Sequence, residues 1–146
     1  NSIMITAGLL FSLAVNAQKM KETELPSAVK DSFKKDYPMT KEVKWEKEGS
    51  NFEAEFELGE TESSVVYDAN GRLVETEVEI KVEELPAAVR DYMATNQKGS
   101  KIKEATRISA ADGTVTYEVE VKGKDLIFDS KGNYIKEEAG TTKEKD

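Results

Sequence analysis

The chain contains no histidine and no cysteine, and these two absences exclude most of the sites at which small proteins carry out chemistry. Without these residues there can be no Ser-His-Asp triad, no Cys-His pair, no usual zinc site and no disulfide. The sequence also lacks the glycine-rich loops, G-x-x-x-x-G-K and G-x-G-x-x-G, that bind phosphates and dinucleotides. We therefore predict a non-enzymatic protein with no catalytic residues, no cofactor and no metal ligands.

Carboxylates are the remaining basis on which this chain could catalyse a reaction. Two Asp or Glu side chains can act as acid and base when burial separates their pKa values. The sequence marks no apolar pocket around any carboxylate, so a carboxylate hydrolase is the least favoured interpretation. The segments "DANG" and "DSKG" also resemble calcium loops. Their glycines, Gly71 and Gly132, fall at the fourth position and not the sixth, which favours a hairpin turn.

The charge balance is acidic, with 29 Asp and Glu against 21 Lys and Arg and a net charge of -8. An acidic surface repels the phosphates of nucleic acids and of anionic lipids. We therefore expect no nucleic-acid partner.

The first 17 residues, "NSIMITAGLLFSLAVNA", carry no charged side chain. Their apolar run is too short for a membrane span of about 20 residues, and it ends in the small residues of a cleavage site. We predict a signal peptide over residues 1–17, and no stable membrane insertion after its removal. The alternative is a buried N-terminal helix or strand. A cysteine-free exported chain favours the bacterial periplasm or exterior, and we expect a monomer.

The segment "ELPSAVKD" at residues 24–31 returns as "ELPAAVRD" at residues 84–91. Leu25, Val29 and Phe33 recur every four residues, which predicts an amphipathic helix that begins near a proline, and the second copy repeats the pattern. Strict alternation follows each helix, as in "NFEAEFEL", "VETEVEIKV" and "TVTYEVEVK", which predicts antiparallel strands with one buried face. The turns "YDANGRL" and "FDSKGNY" match as well.

We accordingly predict an α+β fold of two tandem α-β-β-β-β repeats, with an antiparallel sheet and the helices packed on one face. The first repeat spans residues 18–82 and the second spans residues 83–138. A polar tail follows at residues 139–146, and the last ten residues are expected to fray.

The combination of a signal peptide, "LPxAVxxxF" helices and "YDxxGxL" turns resembles the PepSY-like, β-lactamase-inhibitor-like proteins of bacteria. The resemblance covers nearly all of the chain after residue 17. It implies a tandem α/β repeat with helices on one face of an antiparallel sheet. It implies no established activity, and it offers no inhibitory residues that could be assigned to positions here.

The glutamates at every second strand position are the one sequence pattern that suggests a function. We expect eight of them to lie on the sheet face opposite the helices: Glu53, Glu55, Glu57, Glu75, Glu77, Glu79, Glu118 and Glu120. The plain interpretation is a solvated face that resists aggregation, with Lys44, Lys47, Lys81 and Lys122 interleaved. The functional hypothesis is that this face binds a basic protein partner. Inhibition of an envelope enzyme is one form that such binding would take. The alternative is a periplasmic sequestering or stress protein that binds cations or small basic ligands there.

Overall fold

The computed structural model describes residues 17–140. Except for Ala17, the predicted signal peptide lies outside the described residues, and so does the predicted tail beyond Gly140. Among the described helices, none has both the length and the apolar composition that a membrane span requires.

Nine strands form one antiparallel sheet in which every strand pairs with the next strand along the chain. The two predicted repeats therefore share a single sheet, joined where β5 pairs with β6. The strands are β1 Gln18–Met20, β2 Lys44–Glu48, β3 Asn51–Leu58, β4 Thr61–Tyr67, β5 Leu73–Glu79, β6 Glu104–Ala110, β7 Val115–Val121, β8 Lys124–Asp129 and β9 Tyr134–Ala139.

Each repeat contains one helix, α1 at Ser27–Asp36 and α2 at Ala87–Asn96. A short 3₁₀ turn precedes each helix, at Glu22–Glu24 and Val82–Glu84. In both turns the third residue, a glutamate, accepts a hydrogen bond of 2.7 Å from the backbone N–H of the lysine just before the turn. This is the reciprocal half of a capping box, so the repeated "ELP" has a structural explanation. The two prolines directly precede the helices, so each helix begins next to a proline as predicted.

Both helices pack on the same face of the sheet, each over the strands of its own repeat. Val29 and Phe33 of α1 contact a cluster that includes Trp45, Phe56 and Tyr67. The corresponding cluster on α2 surrounds Val89 and Met93 and contains Ala105, Val119, Val121, Leu126 and Phe128. The α+β class, the tandem arrangement and the packing of the helices on one face are thus confirmed.

The turns after β4 and β8 contact the helices, and this explains why the chain contains the "D-x-x-G" segment twice. Gly71 has φ +75°, and a Cβ at this position would lie 2.4 Å from the carbonyl oxygen of Ala28. The Ser32 hydroxyl donates a hydrogen bond of 2.7 Å to the Gly71 carbonyl oxygen. Gly132 approaches Ala88 and Val89 of α2 in the same way. Both segments are hairpin turns here, held by the side chains of Asp68 and Asp129.

Several boundary predictions were wrong. Residues 80–82 do not continue β5, because the chain leaves the sheet at Glu79 to enter the second 3₁₀ turn. Glu137 and Glu138 do not fray, because both pair with β8. Strand β1 was not predicted, since three residues are too few for alternation to be visible. The division between repeats at residues 82 and 83 stays a prediction.

Candidate functional site

All eight predicted glutamates lie on the sheet surface opposite α1 and α2, which we call the helix-free face. Their strand neighbours Phe52, Ala54 and Phe56 belong to the core under α1, so Glu53, Glu55 and Glu57 must point the other way. The strand pairing carries this parity across the sheet to Glu75, Glu77, Glu79, Glu118 and Glu120.

The strand register brings four of these glutamates around two residues of β4. Ser64 lies directly between Glu55 of β3 and Glu77 of β5. Val66, two residues along on the same face, lies between Glu53 and Glu75. Directly opposed positions have Cβ atoms about 5 Å apart. The four carboxylates therefore surround a small central area of the helix-free face.

Sequence reasoning missed five glutamates that the described strands place on this face, among them Glu48, opposite Asn51, and Glu138, opposite Asp125. Glu62 lies opposite Glu57, Glu104 lies opposite Glu120, and Glu46 lies opposite Glu53. Glu46 could have been found, because it alternates with the core residue Trp45. Glu62 and Glu104 stand at strand positions whose neighbours show no repeated alternation of glutamate.

Most of the lysines that were expected to interleave with these glutamates do not. Lys44 does lie opposite Glu55, but Lys47 pairs with the core residue Phe52 and so belongs to the other face. Lys81 precedes a 3₁₀ turn, and Lys122 occupies a turn with φ 53°. Strands β3 to β7, all within the described residues, place ten glutamates and no lysine or arginine on the helix-free face: Glu53, Glu55, Glu57, Glu62, Glu75, Glu77, Glu79, Glu104, Glu118 and Glu120.

The helix-free face is also less exposed to solvent than the alternating pattern predicts. Glu53 is only 5% exposed, and Ser64, Val66 and Ile127 on the same face are buried as well. Glu57 is exposed, and the other six predicted glutamates are partly buried. Long side chains on both flanking strands cover short residues of an interior strand, so the face is a packed acidic layer and not a fully wet surface.

The carboxyl group of Glu75 has a strongly raised pKa. Burial raises its pKa, and the negative charges of Glu77 and Glu53, together with a hydrogen bond to Glu77, raise it further, to about 7. Its cross-strand neighbours are Val66 and Ala110, which offer no charge to stabilise the carboxylate.

Two groups of three carboxylates converge closely enough for one cation to contact all three. One contains Glu46, Glu53 and Glu55, and the other contains Glu62, Glu79 and Glu104. In each group the three carboxylate oxygens lie within 4.8 Å of one another. Such groups are common on acidic surfaces, so convergence alone does not distinguish them.

A family model described as "Putative beta-lactamase-inhibitor-like, PepSY-like" matches the chain twice, over residues 13–75 and 61–136. The first match includes α1 and the second includes α2, and they overlap at residues 61–75, where the second match begins with β4. Among curated proteins, no sequence matches this chain.

Three crystal structures from Bacteroides share the fold. A protein of B. eggerthii described as a putative periplasmic protein is 18% identical over 79% of this chain and 88% of its own, with a TM-score of 0.73. A DUF2874 family protein of B. uniformis is 22% identical over 78% of this chain and 88% of its own, with a TM-score of 0.70. A BLIP-like protein of B. fragilis is 25% identical over 84% of this chain and 91% of its own, with a TM-score of 0.64.

Proposed function

This chain belongs to the "Putative beta-lactamase-inhibitor-like, PepSY-like" family, and from that premise we propose that it is an exported, non-enzymatic protein that recognises a basic protein of the bacterial envelope through its helix-free face. The observation that carries the proposal is the ten glutamates that β3 to β7 place on this face without a lysine or arginine among them. The BLIP-like description of the B. fragilis protein supports recognition of a protein partner.

The packing of the helix-free face supports a docking role over a purely solubilising one. A solubilising surface needs charges in water, whereas Glu53 is buried and most of the other glutamates are partly buried. Partly buried acidic groups create a stronger local potential than solvated ones, because the surrounding dielectric constant is lower. Such a potential accelerates the encounter with a basic surface and selects against acidic partners.

An exported location is the second part of the proposal. The B. eggerthii protein of the same fold is described as a putative periplasmic protein. The apolar segment at residues 1–17 and the absence of cysteine are consistent with export to an oxidising compartment. That the protein acts as a monomer stays a prediction.

The test is capture from a periplasmic extract with three immobilised proteins. The first is wild type, and the second carries Glu55→Lys, Glu77→Lys and Glu118→Lys on the helix-free face. The third, a matched control, carries Glu22→Lys, Glu42→Lys and Glu60→Lys at exposed positions outside the strands, so both variants change the net charge equally. Circular dichroism and thermal unfolding confirm that each variant is folded.

We expect wild type and the control variant to capture the same basic protein and the face variant to lose it. About 0.5 M salt should weaken the capture, because the long-range attraction between the acidic face and a basic surface is screened at that ionic strength. Capture by all three proteins would contradict the proposal. An inhibition assay against a panel of β-lactamases tests the narrower possibility that the family description raises, and inhibition at micromolar protein that the face variant lacks would identify the partner class.

A further inference from the structure

The carboxylates of Glu46, Glu53 and Glu55 converge closely enough for one calcium ion to contact all three. Glu46 lies opposite Glu53 in the β2–β3 ladder, and Glu55 is the next residue of β3 on the same face. Their carboxylate oxygens all lie within 4.8 Å of one another. Calcium binds oxygen ligands at about 2.4 Å, so oxygens up to twice that distance apart can contact the same ion.

The hydroxyl of Ser64, one of four buried hydroxyls without a hydrogen-bond partner in the described part of the chain, lies on the same face next to this group. Ser64 lies directly opposite Glu55 on β4 and is only 4% exposed. Its Oγ is buried and has no hydrogen-bond partner in the structure. A buried hydroxyl without a hydrogen-bond partner destabilises the fold. A cation bound beside Glu55 would accept a lone pair of this oxygen and remove that cost.

The electrostatic field at this place also favours a cation. Glu53, Glu55, Glu75 and Glu77 surround Ser64 and Val66 in the strand register, and the nearest lysines are Lys44, opposite Glu55, and Lys19, opposite Glu46. All the available ligand atoms are oxygens, which suits a hard cation, and calcium accepts flexible geometry where magnesium demands a near-ideal octahedron.

We propose that Glu46, Glu53 and Glu55, together with the hydroxyl of Ser64, form a calcium-binding site on the helix-free face. Water molecules would complete the six to eight oxygen ligands that calcium takes. This inference goes beyond the proposed function, because the cation binds to the protein alone and needs no protein partner.

The test is titration calorimetry of purified protein, freed of metals with a chelator, with CaCl₂ added to about 10 mM. We expect one site with a Kd between about 10⁻⁴ and 10⁻³ M, the range of extracellular calcium-binding modules. Glu53→Gln should weaken calcium binding at least about tenfold, and Ser64→Ala should weaken it about fivefold, the loss of one ligand contact. Glu46→Gln, at a partly exposed position, provides the same test if Glu53→Gln does not fold.

The matched control is Glu79→Gln, which removes one charge from the second group of three carboxylates on the same face. We expect its calcium affinity to stay within about twofold of wild type. Absence of binding up to 10 mM would overturn the proposal, and so would equal affinities for wild type, Glu46→Gln, Glu53→Gln and Ser64→Ala. A loss in Glu79→Gln as large as that in Glu53→Gln would also overturn it, because binding would then follow total charge. Capture experiments in chelator test the proposed function separately.

Discussion

The raised pKa of Glu75 makes a quantitative prediction about stability. In the unfolded chain this carboxyl group ionises near pH 4.5, whereas in the folded protein its pKa is about 7. Between these values the folded state keeps a proton that the unfolded state has released. Since stability falls with pH wherever the folded state binds more protons, ionisation of Glu75 destabilises the fold progressively from about pH 4.5 to about pH 7.

Replacing Glu75 by Gln removes this ionisation while it keeps the shape of the side chain. The gap between a pKa of about 4.5 and one of about 7 corresponds to about 3 kcal/mol. Water reaches the partly buried carboxyl group and its charged neighbours respond, so we expect a smaller effect, about 1 to 2 kcal/mol. Glu75→Gln should therefore be more stable than wild type by this amount at pH 8, and equally stable at pH 4.5.

Urea unfolding at a series of pH values measures the effect, with the fluorescence of the single Trp45 as the signal. Trp45 is 5% exposed and packs edge-on against Phe33, so its emission reports loss of the core. Glu57→Gln is the control, because it removes an exposed charge from the same strand face and should change stability by less than about 0.5 kcal/mol. Parallel stability curves for wild type and Glu75→Gln across pH 4.5 to 8 would refute the reasoning.

Two further predictions, each with a comparison variant, test how helix α1 is attached to the sheet. Gly71→Ala should destabilise the protein by about 2 kcal/mol or more, because a Cβ would approach the carbonyl oxygen of Ala28, whereas Gly113→Ala, at a positive φ with open space, should cost only about 1 kcal/mol. Equal losses in thermal unfolding would show that the contact is unimportant. Tyr67→Phe removes a hydrogen bond of 2.7 Å to the Asp36 carboxylate and should cost about 1 kcal/mol in urea unfolding, and the variant Asp36→Asn should reproduce only part of it.

The architecture could be predicted from the sequence because each repeat contains local signals that agree. Helical spacing from Leu25 to Phe33 and alternation in "NFEAEFEL" depend only on neighbours along the chain, and so does the turn chemistry of Asp68 and Gly71. The same parity placed all eight glutamates on one face. None of these predictions required knowing which strands and helices contact each other in the folded protein.

The properties of the candidate site could not be predicted, because they depend on which strands lie side by side. Alternation assigns a residue to a face, but it does not tell which residue stands opposite. The burial of Glu53, the raised pKa of Glu75 and the isolated hydroxyl of Ser64 all follow from the β3–β4–β5 register. Lys47 was placed on the wrong face because its strand parity relative to Trp45 was overlooked.

The pairing of β5 with β6 has a consequence for how such a protein avoids association with its own copies. A single helix-and-strand unit would end in two strands with unpaired backbone groups, and such edges template contacts between chains. Because both units belong to one chain, each unit permanently pairs with one edge strand of the other, as a second subunit does in a dimer. The two outer strands that remain are a three-residue segment, β1, and β9, which carries a lysine, Lys136. Both features discourage the addition of a further strand.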